Sequence, residues 1–382
     1  MEGRRRVIKR KILYVVDAIV NHSGLDRVVI EKLNWLVENS QFEVFLLTFN
    51  QGTLPFSFSL HRQINHVDLG IMTYRAFRYS GLKRLLYRYK IQRLLRRGIR
   101  QYIHEISPDI VISCQRQFVT DVECSRGEIP FLFECHSGYS GGNIEGESLW
   151  QHIQEKWGDR SVRKANGVVT LTHGDAEKWR RVNPNVEVIP NIVHLNDTGR
   201  FCDCSEKIVI FVGRYAVQKD IGSLLQIWKI VHSRHSDWQL HLYGGYGNES
   251  GKWQKRIERM NANIFAFDAT SNIFAKYISS SILVLTSLHE PFGLVLPEAM
   301  SCGVPVVSFD CPYGPADIIT DGVDGFLIKN RSIDDFANCL CRLIEDKDLR
   351  VQIGKAGIVS SQRYASNIIM PRWIRLYEKM MS

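Results

Sequence analysis

The sequence predicts an α/β protein built as two doubly wound parallel-sheet domains, and three observations predict it. At 382 residues the chain exceeds what one ordinary hydrophobic core organises and suits two domains of under about 200 residues each. Short, β-branched apolar runs alternate with helical stretches along its whole length. The runs are continuously apolar rather than alternating, as in strands that helices cover on both faces.

The first series of expected strands falls at 12–16, 44–49, 110–113, 131–135 and 167–171, and the second at 208–212, 239–243, 264–267, 282–286 and 304–309. Between the two series the apolar periodicity lapses, and Pro190, Asn191, Asn196 and Gly199 cluster before the next strand. The expected division is an N-terminal Rossmann-like domain over 1–190, a linker over 191–205, a C-terminal Rossmann-like domain over 206–365 and a terminal helix over 366–382. That helix carries Trp373, Ile374, Leu376 and Tyr377 and needs a surface to pack on. No internal repeat or low-complexity segment interrupts the pattern.

A hydrophobic content of 45% with 10% aromatic residues is that of a folded globular chain and excludes a disordered one. The formal charge of +9 is uneven: residues 1–190 hold 28 Lys and Arg against 20 Asp and Glu, and residues 191–382 hold 21 against 20. Residues 75–100 alone carry ten basic side chains and no acid. The nine cysteines contain no Cys-x-x-Cys, and the pairs Cys202/Cys204 and Cys339/Cys341 lack histidines at zinc-ligand spacing. Free thiols in a reducing compartment are therefore expected. The basic N-terminus followed by 12–16 imitates a secretory leader, but Asp17 ends the apolar run after five residues, so a buried first strand is expected instead. With no run near the roughly 20 apolar residues of a membrane span, the expectation is a cytoplasmic protein, soluble or peripheral.

Two constellations carry chemistry. After the strand at 282–286, Glu290 and Glu298 stand eight positions apart in Glu290-Pro291-Phe292-Gly293-Leu294-Val295-Leu296-Pro297-Glu298. A strand that ends in a glycine-bearing turn and opens a helix aims backbone N–H groups at one point, where a phosphate binds. With the helix starting near Leu294, Glu298 lies about one turn along it and can accept from a ribose diol, while Glu290 on the loop reaches another ligand hydroxyl. The bland alternative is that acids near a helix N-terminus offset the dipole. The second constellation, Gly213-Arg214-Tyr215-Ala216-Val217-Gln218-Lys219, follows the strand at 208–212. Arg214 and Lys219 at a strand's carboxyl end can neutralise a diphosphate and stabilise it as a leaving group, with Gly213 permitting close approach. Otherwise the segment is a solvated turn.

Val212-Gly213-Arg214 with Lys219, the two glutamates, the run Glu298-Ala299-Met300-Ser301-Cys302-Gly303-Val304-Pro305 and Gly322-Val323-Asp324-Gly325-Phe326-Leu327 together resemble the retaining GT-B glycosyltransferases of family four, the bacterial group 1 enzymes of capsule, lipopolysaccharide and exopolysaccharide synthesis. The resemblance covers 206–345 strongly and the preceding half more weakly. It implies two Rossmann-like domains facing across a cleft, with the C-terminal helix crossing back to the N-terminal domain, which takes the acceptor. It further implies that Arg214 and Lys219 bind the donor diphosphate with Gly213 and the backbone of Phe292, Gly293 and Leu294, that Glu298 holds the ribose, that Glu290 meets the donor sugar and that 266–270, with Phe267, line the base. In the first half it implies that His136 lies beside the donor sugar, ahead of Gly138, Gly141 and Gly142, and that Gly24 belongs to the first glycine-rich loop, where Ser23 replaces a common glycine.

The reaction so implied is hexosyl or N-acetylhexosaminyl transfer from a nucleotide sugar, UDP-linked by expectation, with retention and front-face attack assisted by the departing phosphate. Catalytic roles fall to Glu290, His136, Arg214 and Lys219. Fixed cations carry the leaving-group charge, so no metal and no cofactor beyond the donor is expected. Asp346-Lys347-Asp348 follows a helical run far from any strand end and reads as a helix boundary. No pair of carboxylates is placed for a glycosidase-type double displacement.

The basic segment 75–103 presents two apolar groups on different helical faces, Leu82, Leu85, Leu86 and Tyr89 against Ile91, Leu95, Ile99 and Tyr102, and Gly98 weakens the helix. Such a surface suits anionic lipid headgroups on the inner membrane face and a lipid-linked acceptor, with a solvated helix covering the sheet as the alternative. No nucleic-acid motif accompanies the charge, so nucleic acid is not an expected partner. The remaining alternatives are a soluble glycogen- or sucrose-synthase-type glucosyltransferase and a catalytically inactive sugar-nucleotide-binding protein.

Overall fold

A computed structural model describes residues 9–139, 149–244 and 250–382. They form two compact units, one of residues 1–171, 175–192 and 369–382, the other of residues 172–174 and 193–368.

The first unit holds a seven-stranded sheet: β1 (Lys11–Val15), β2 (Glu43–Thr48), β3 (Asn65–Asp68), β4 (Ile110–Ser113), β5 (Phe131–Glu134), β6 (Gly167–Thr170) and β7 (Val186–Val188). Their order is β3-β2-β1-β4-β5-β6-β7 and every pair is parallel, with Ile12 opposite Val44 and Ile110. Helices α1 (Gly24–Asn39), α2 (Gly81–Ile106), α3 (Val119–Glu123), α4 (Leu149–Arg163) and α5 (His173–Trp179) connect them. The second unit holds β8 (Ile208–Val212), β9 (Gln239–Gly244), β10 (Ile264–Asp268), β11 (Ile282–Leu285), β12 (Val306–Phe309) and β13 (Phe326–Ile328) in the parallel order β10-β9-β8-β11-β12-β13. Its helices are α6 (Ile221–Arg234), α7 (Ser250–Met260), α8 (Ile273–Ile278), α9 (Val295–Ser301), α10 (Pro315–Ile318), α11 (Ile333–Glu345) and α12 (Lys347–Ser361), and α13 (Ser366–Met381) closes the chain. The fold is the two-domain GT-B class that the sequence predicts.

Each sheet reverses its direction of winding once, between β1 and β4 in the first unit and between β8 and β11 in the second. Neighbouring crossovers leave on opposite faces there, and the gap between them at the carboxyl ends is where such folds take ligands. Central strands are fully covered: Ile12, Leu13, Ile110, Val111, Phe131, Phe211, Leu283 and Val284 are buried. Leu13, Phe45, Leu95, Ile99, Phe131 and Trp179 share one core, and Phe211, Leu224, Trp228, Leu242, Phe336 and Leu340 another.

Caps explain where helices begin. Ser23 Oγ accepts from the Asp26 N–H at 3.1 Å, so the serine at the position where a glycine is common is the N-cap of α1. Asp346 accepts from the Leu349 N–H at 2.8 Å as the N-cap of α12, which accounts for the Asp-x-Asp as a helix boundary. Helix α2 corrects an expectation. It runs unbroken for 26 residues despite Gly98, whose position lies against Leu69: a Cβ there would stand 2.8 Å from Leu69 Cδ1. Ile91, Leu95, Ile99 and Tyr102 are its core face, while Leu82, Leu86 and Tyr89 stay 71%, 62% and 62% exposed.

Candidate functional site

In the second unit the two predicted constellations meet where the winding reverses. The turn after β8 begins with Gly213, whose N–H donates to Tyr243 O at 3.0 Å, and ends at Asp220, a left-handed residue that caps α6 through the Ser223 N–H at 3.1 Å. The loop after β11 is tied to this turn. The Leu288 N–H donates to Gln218 O at 2.8 Å, Gln218 Nε2 to His289 O at 3.0 Å, and Thr286 Oγ1 to Lys219 O at 3.0 Å. Arg331 clamps both, donating to Asp220 Oδ2 at 2.6 Å and to Ser287 O at 2.7 Å while stacking 4.3 Å from the Phe309 ring.

This stitching brings Lys219 and Glu290 into contact. Lys219 Nζ lies 2.5 Å from Glu290 Oε2, which also accepts from Ser287 Oγ at 3.0 Å. The Glu290 backbone is pinned from the other side: its N–H donates to Pro312 O at 2.6 Å and its carbonyl accepts from the Tyr313 and Gly314 N–H groups at 2.9 and 2.7 Å. Gly293 adopts φ +95°, which a side chain would strain, and so turns the chain from this loop into α9. Phe292, buried against Tyr364 at 5.3 Å, and Leu294, the residue before α9, complete the turn. Helix α9 has seven residues, so its dipole contributes little and any anion there depends on the turn amides and the cations.

Glu298 sits in the first turn of α9, 4% exposed, and accepts from Tyr277 Oη at 3.1 Å. Arg214 is exposed and makes no ion pair or side-chain hydrogen bond among the described residues. Phe267 lies on the edge strand β10, half exposed, and stacks on Tyr243 with centroids 4.8 Å apart and planes 16° apart, with Lys276 Nζ 5.9 Å from the Tyr243 centroid.

In the first unit Gly24 opens α1, behind His22, which is left-handed at φ +47°. His136 lies two residues past the end of β5, and its Nε2 lies 3.3 Å from Glu134 Oε2. Gly138 lies two residues on with φ +77°, and Gly141 and Gly142 fall outside the described residues.

Sequence reasoning missed what holds His136. Glu134 and Lys32, each 1% exposed, form a buried ion pair at 2.6 Å. Tyr14 Oη donates to Glu134 Oε1 at 2.8 Å, Tyr377 Oη lies 3.3 Å from the same oxygen, and the Trp373 ring lies 3.5 Å from Lys32 Nζ. Burial raises the Glu134 carboxyl, but Lys32 and then His136 more than reverse this and hold it at about 2. Burial also lowers the His136 imidazole, helped by Lys32, against the pull of Glu134. Cys114, Glu134 and His136 bring three metal-type ligand atoms together, and the positive charge they meet is the Lys32 ammonium. The available signal was charge inside each of two apolar runs, Glu134 in Phe131-Leu132-Phe133-Glu134-Cys135 and Glu31 with Lys32 in Val28-Val29-Ile30-Glu31-Lys32-Leu33.

Two family models match the chain. The one described as "Glycosyltransferase Family 4" matches residues 22–197, and the one described as "Glycosyl transferases group 1" matches residues 202–359. The amylovoran biosynthesis glycosyltransferase AmsD of Erwinia amylovora is 27% identical over 383 residues, 95% of this chain and 98% of the relative. A poly(ribitol-phosphate) alpha-N-acetylglucosaminyltransferase of Staphylococcus aureus is 31% identical over 58% of this chain and 46% of its own length. Among solved structures, S. aureus TarM in complex with Fondaparinux, alpha-GlcNAc-glycerol and UDP aligns with a TM-score of 0.79 at 17% identity, covering 96% of this chain and 99% of that one, a likeness of fold.

Proposed function

The chain belongs to the group 1 glycosyltransferases, and from that premise we propose that it moves a hexose or N-acetylhexosamine from a UDP-linked donor, with retention, onto a growing bacterial surface glycan or its lipid-linked precursor. The observation that carries this reading is the Lys219–Glu290 pair at the point where the second sheet reverses its winding. A cation and a carboxylate held on adjacent loops suit a ligand that brings phosphate to the first and sugar hydroxyls to the second.

The diphosphate displaces Glu290 from Lys219, and Arg214 swings onto it from its exposed position. The amides of Phe292, Gly293 and Leu294 complete the cradle. Glu298, already accepting from Tyr277, takes the ribose, and the Phe267–Tyr243 stack borders the base. These groups carry the charge that develops as the sugar–phosphate bond breaks, which is the largest service a site of this kind renders. His136 contributes to donor-sugar recognition, a role that rests on the family resemblance. Retention is supported by the alpha linkage in the name of the poly(ribitol-phosphate) relative, which is what retention yields from an α-configured nucleotide sugar. UDP is supported by its presence in the TarM complex.

No helix among the described residues is long and apolar enough to cross a membrane. Contact with an anionic membrane is assigned to the exposed face of α2 and the turn before it, where Phe77, Leu82, Leu86 and Tyr89 alternate with arginines and lysines. The test is a thermal-shift screen of UDP- and GDP-sugars followed by NMR of the product anomer. The reading expects one UDP-sugar to raise the melting temperature in proportion to the logarithm of its concentration and the donor's anomeric configuration to persist. An inverted product overturns retention, a shift without transfer by any donor favours a catalytically inactive binding protein, and no shift with any donor overturns the nucleotide-sugar reading.

A further inference from the structure

Five of the six groups gathered around Glu134 come from four separate parts of the fold: Tyr14 from β1, Lys32 from α1, Cys114 just after β4, and Tyr377 and Trp373 from α13, Trp373 by way of Lys32. The sixth, His136, lies two residues along the chain. A buried ion pair adds little to stability over an apolar replacement, so its retention invites a reason beyond packing.

The two carboxylate oxygens have divided duties. Oε1 faces the Tyr14 and Tyr377 hydroxyls, themselves 2.5 Å apart, and Oε2 faces Lys32, His136 Nε2 and, at 3.7 Å, Cys114 Sγ. An ionised carboxylate accepts only, so a neutral imidazole that bonds to it must carry its proton on Nε2. The other nitrogen, Nδ1, is then a lone-pair acceptor. It is buried and has no hydrogen-bond partner among the described residues, although the Asn191 side chain is near enough to favour the charged ring. An unsatisfied buried acceptor is costly, and a ligand hydroxyl donated to it would recover that cost.

We propose that Glu134 is a positioning residue for His136: held by Lys32, Tyr14 and Tyr377, it fixes the imidazole as the Nε2–H tautomer so that Nδ1 accepts a hydroxyl of the bound sugar. The functional half of this statement rests on the glycosyltransferase reading, and the tautomer does not. His136 accordingly accepts a hydrogen bond rather than donating one, and it delivers no proton. The C-terminal segment, through Trp373 on Lys32 and Tyr377 on Glu134, becomes part of what orients a side chain more than 230 residues earlier in sequence.

The test reads the ring directly. Nitrogen-15 NMR of the full chain with labelled histidine, His136 being assigned by its loss in H136N, is expected to show a neutral Nε2–H ring near pH 7.5. A neutral Nδ1–H ring or an equal mixture overturns the proposal. The second arm is K32M/E134Q, which removes both charges together and leaves neither buried alone. With the carboxamide oxygen opposite the two tyrosines, its NH2 falls at the Oε2 position and donates to Nε2, so the ring is expected to switch to Nδ1–H. In that variant kcat/KM for the donor should fall at least about tenfold, the loss of one buried hydrogen bond to the substrate, while cooperative unfolding persists. A switched ring with activity within twofold of wild type overturns the positioning role, and so does a variant that keeps the Nε2–H ring but loses activity. A wild-type chain inactive with every donor counts against the glycosyltransfer reading, and the ring state is still decided by the first arm.

Discussion

Lys219 is the residue on which the donor site turns, because it is the one proposed phosphate ligand already committed to a partner. Its 2.5 Å pair with Glu290 is only partly exposed, so a diphosphate must outcompete a short contact before it is bound. Removing the lysine removes the phosphate ligand and leaves its competitor, the Glu290 carboxylate, in place. Lys219→Ala is expected to lower kcat/KM for the donor by about 100-fold or more, the scale of losing one preorganised charge stabiliser, with a melting temperature close to wild type. Steady-state transfer assays alongside thermal unfolding check this, and unchanged turnover refutes the phosphate role.

Glu134 makes a separate prediction in acid. Its folded carboxyl sits at about 2 against an ordinary 4.5, so its ionised form is stabilised by folding. The contribution is fully present above pH 4.5 and is lost as the pH falls from 4.5 toward 2. Denaturant titrations across that window should show a smaller loss for K32M/E134Q than for wild type. Parallel losses would contradict the assignment.

Residue-level legibility divided along the same line. Gly213, Lys219, Glu290 and Gly293 could be singled out because strand-end turns are local, but the contact between Lys219 and Glu290 is visible only in the structure. Lys32 and Glu134 could not, because a lysine in a helix reads as solvated until tertiary structure buries it, and Tyr377 comes from the far end of the chain.

At the scale of elements, every central strand announced itself, and of the four edge strands only β10 did. Ten apolar runs correspond to β1, β2, β4, β5, β6, β8, β9, β10, β11 and β12, each displaced by at most two residues at either end. The three unanticipated strands, β3, β7 and β13, all lie at sheet edges: Asn65-His66-Val67-Asp68 and Val186-Glu187-Val188 carry no continuous apolar run, and Phe326-Leu327-Ile328 is only three residues long. Helix α2 was misjudged for the complementary reason: an apparent break in its stripe is the boundary between a core face and an exposed one. The exposed face makes its own prediction. Replacing Leu82 and Leu86 by aspartate should abolish co-sedimentation with anionic vesicles while changing unfolding free energy by less than about 0.5 kcal/mol, since neither side chain is packed. Retained vesicle binding, or loss of stability with vesicle binding unaffected, would return α2 to the role of a solvated cover.

Over the whole molecule, two separate cores are assembled from a chain whose last residues return to the first. Ile369, Met370, Trp373, Leu376 and Tyr377 are buried, and residues 369–382 belong to the first unit. Deleting them removes the aromatic cover of Lys32 and one hydroxyl from Glu134 together with several buried apolar side chains. Hydrogen exchange on the truncated chain should show lost protection across β1, β4 and β5 and little change across β8 to β13. Equal loss in both units would contradict the assignment of that segment.

The central claim, that a pyrophosphoryl group docks between the turn after β8 and the loop after β11, is tested most directly by isothermal titration of the full chain with UDP and with uridine. The account predicts that UDP binds at least about 100-fold more tightly than uridine, and that Lys219→Ala erases most of the difference. Equal affinity for the two ligands, or a preference that survives the substitution, would contradict it.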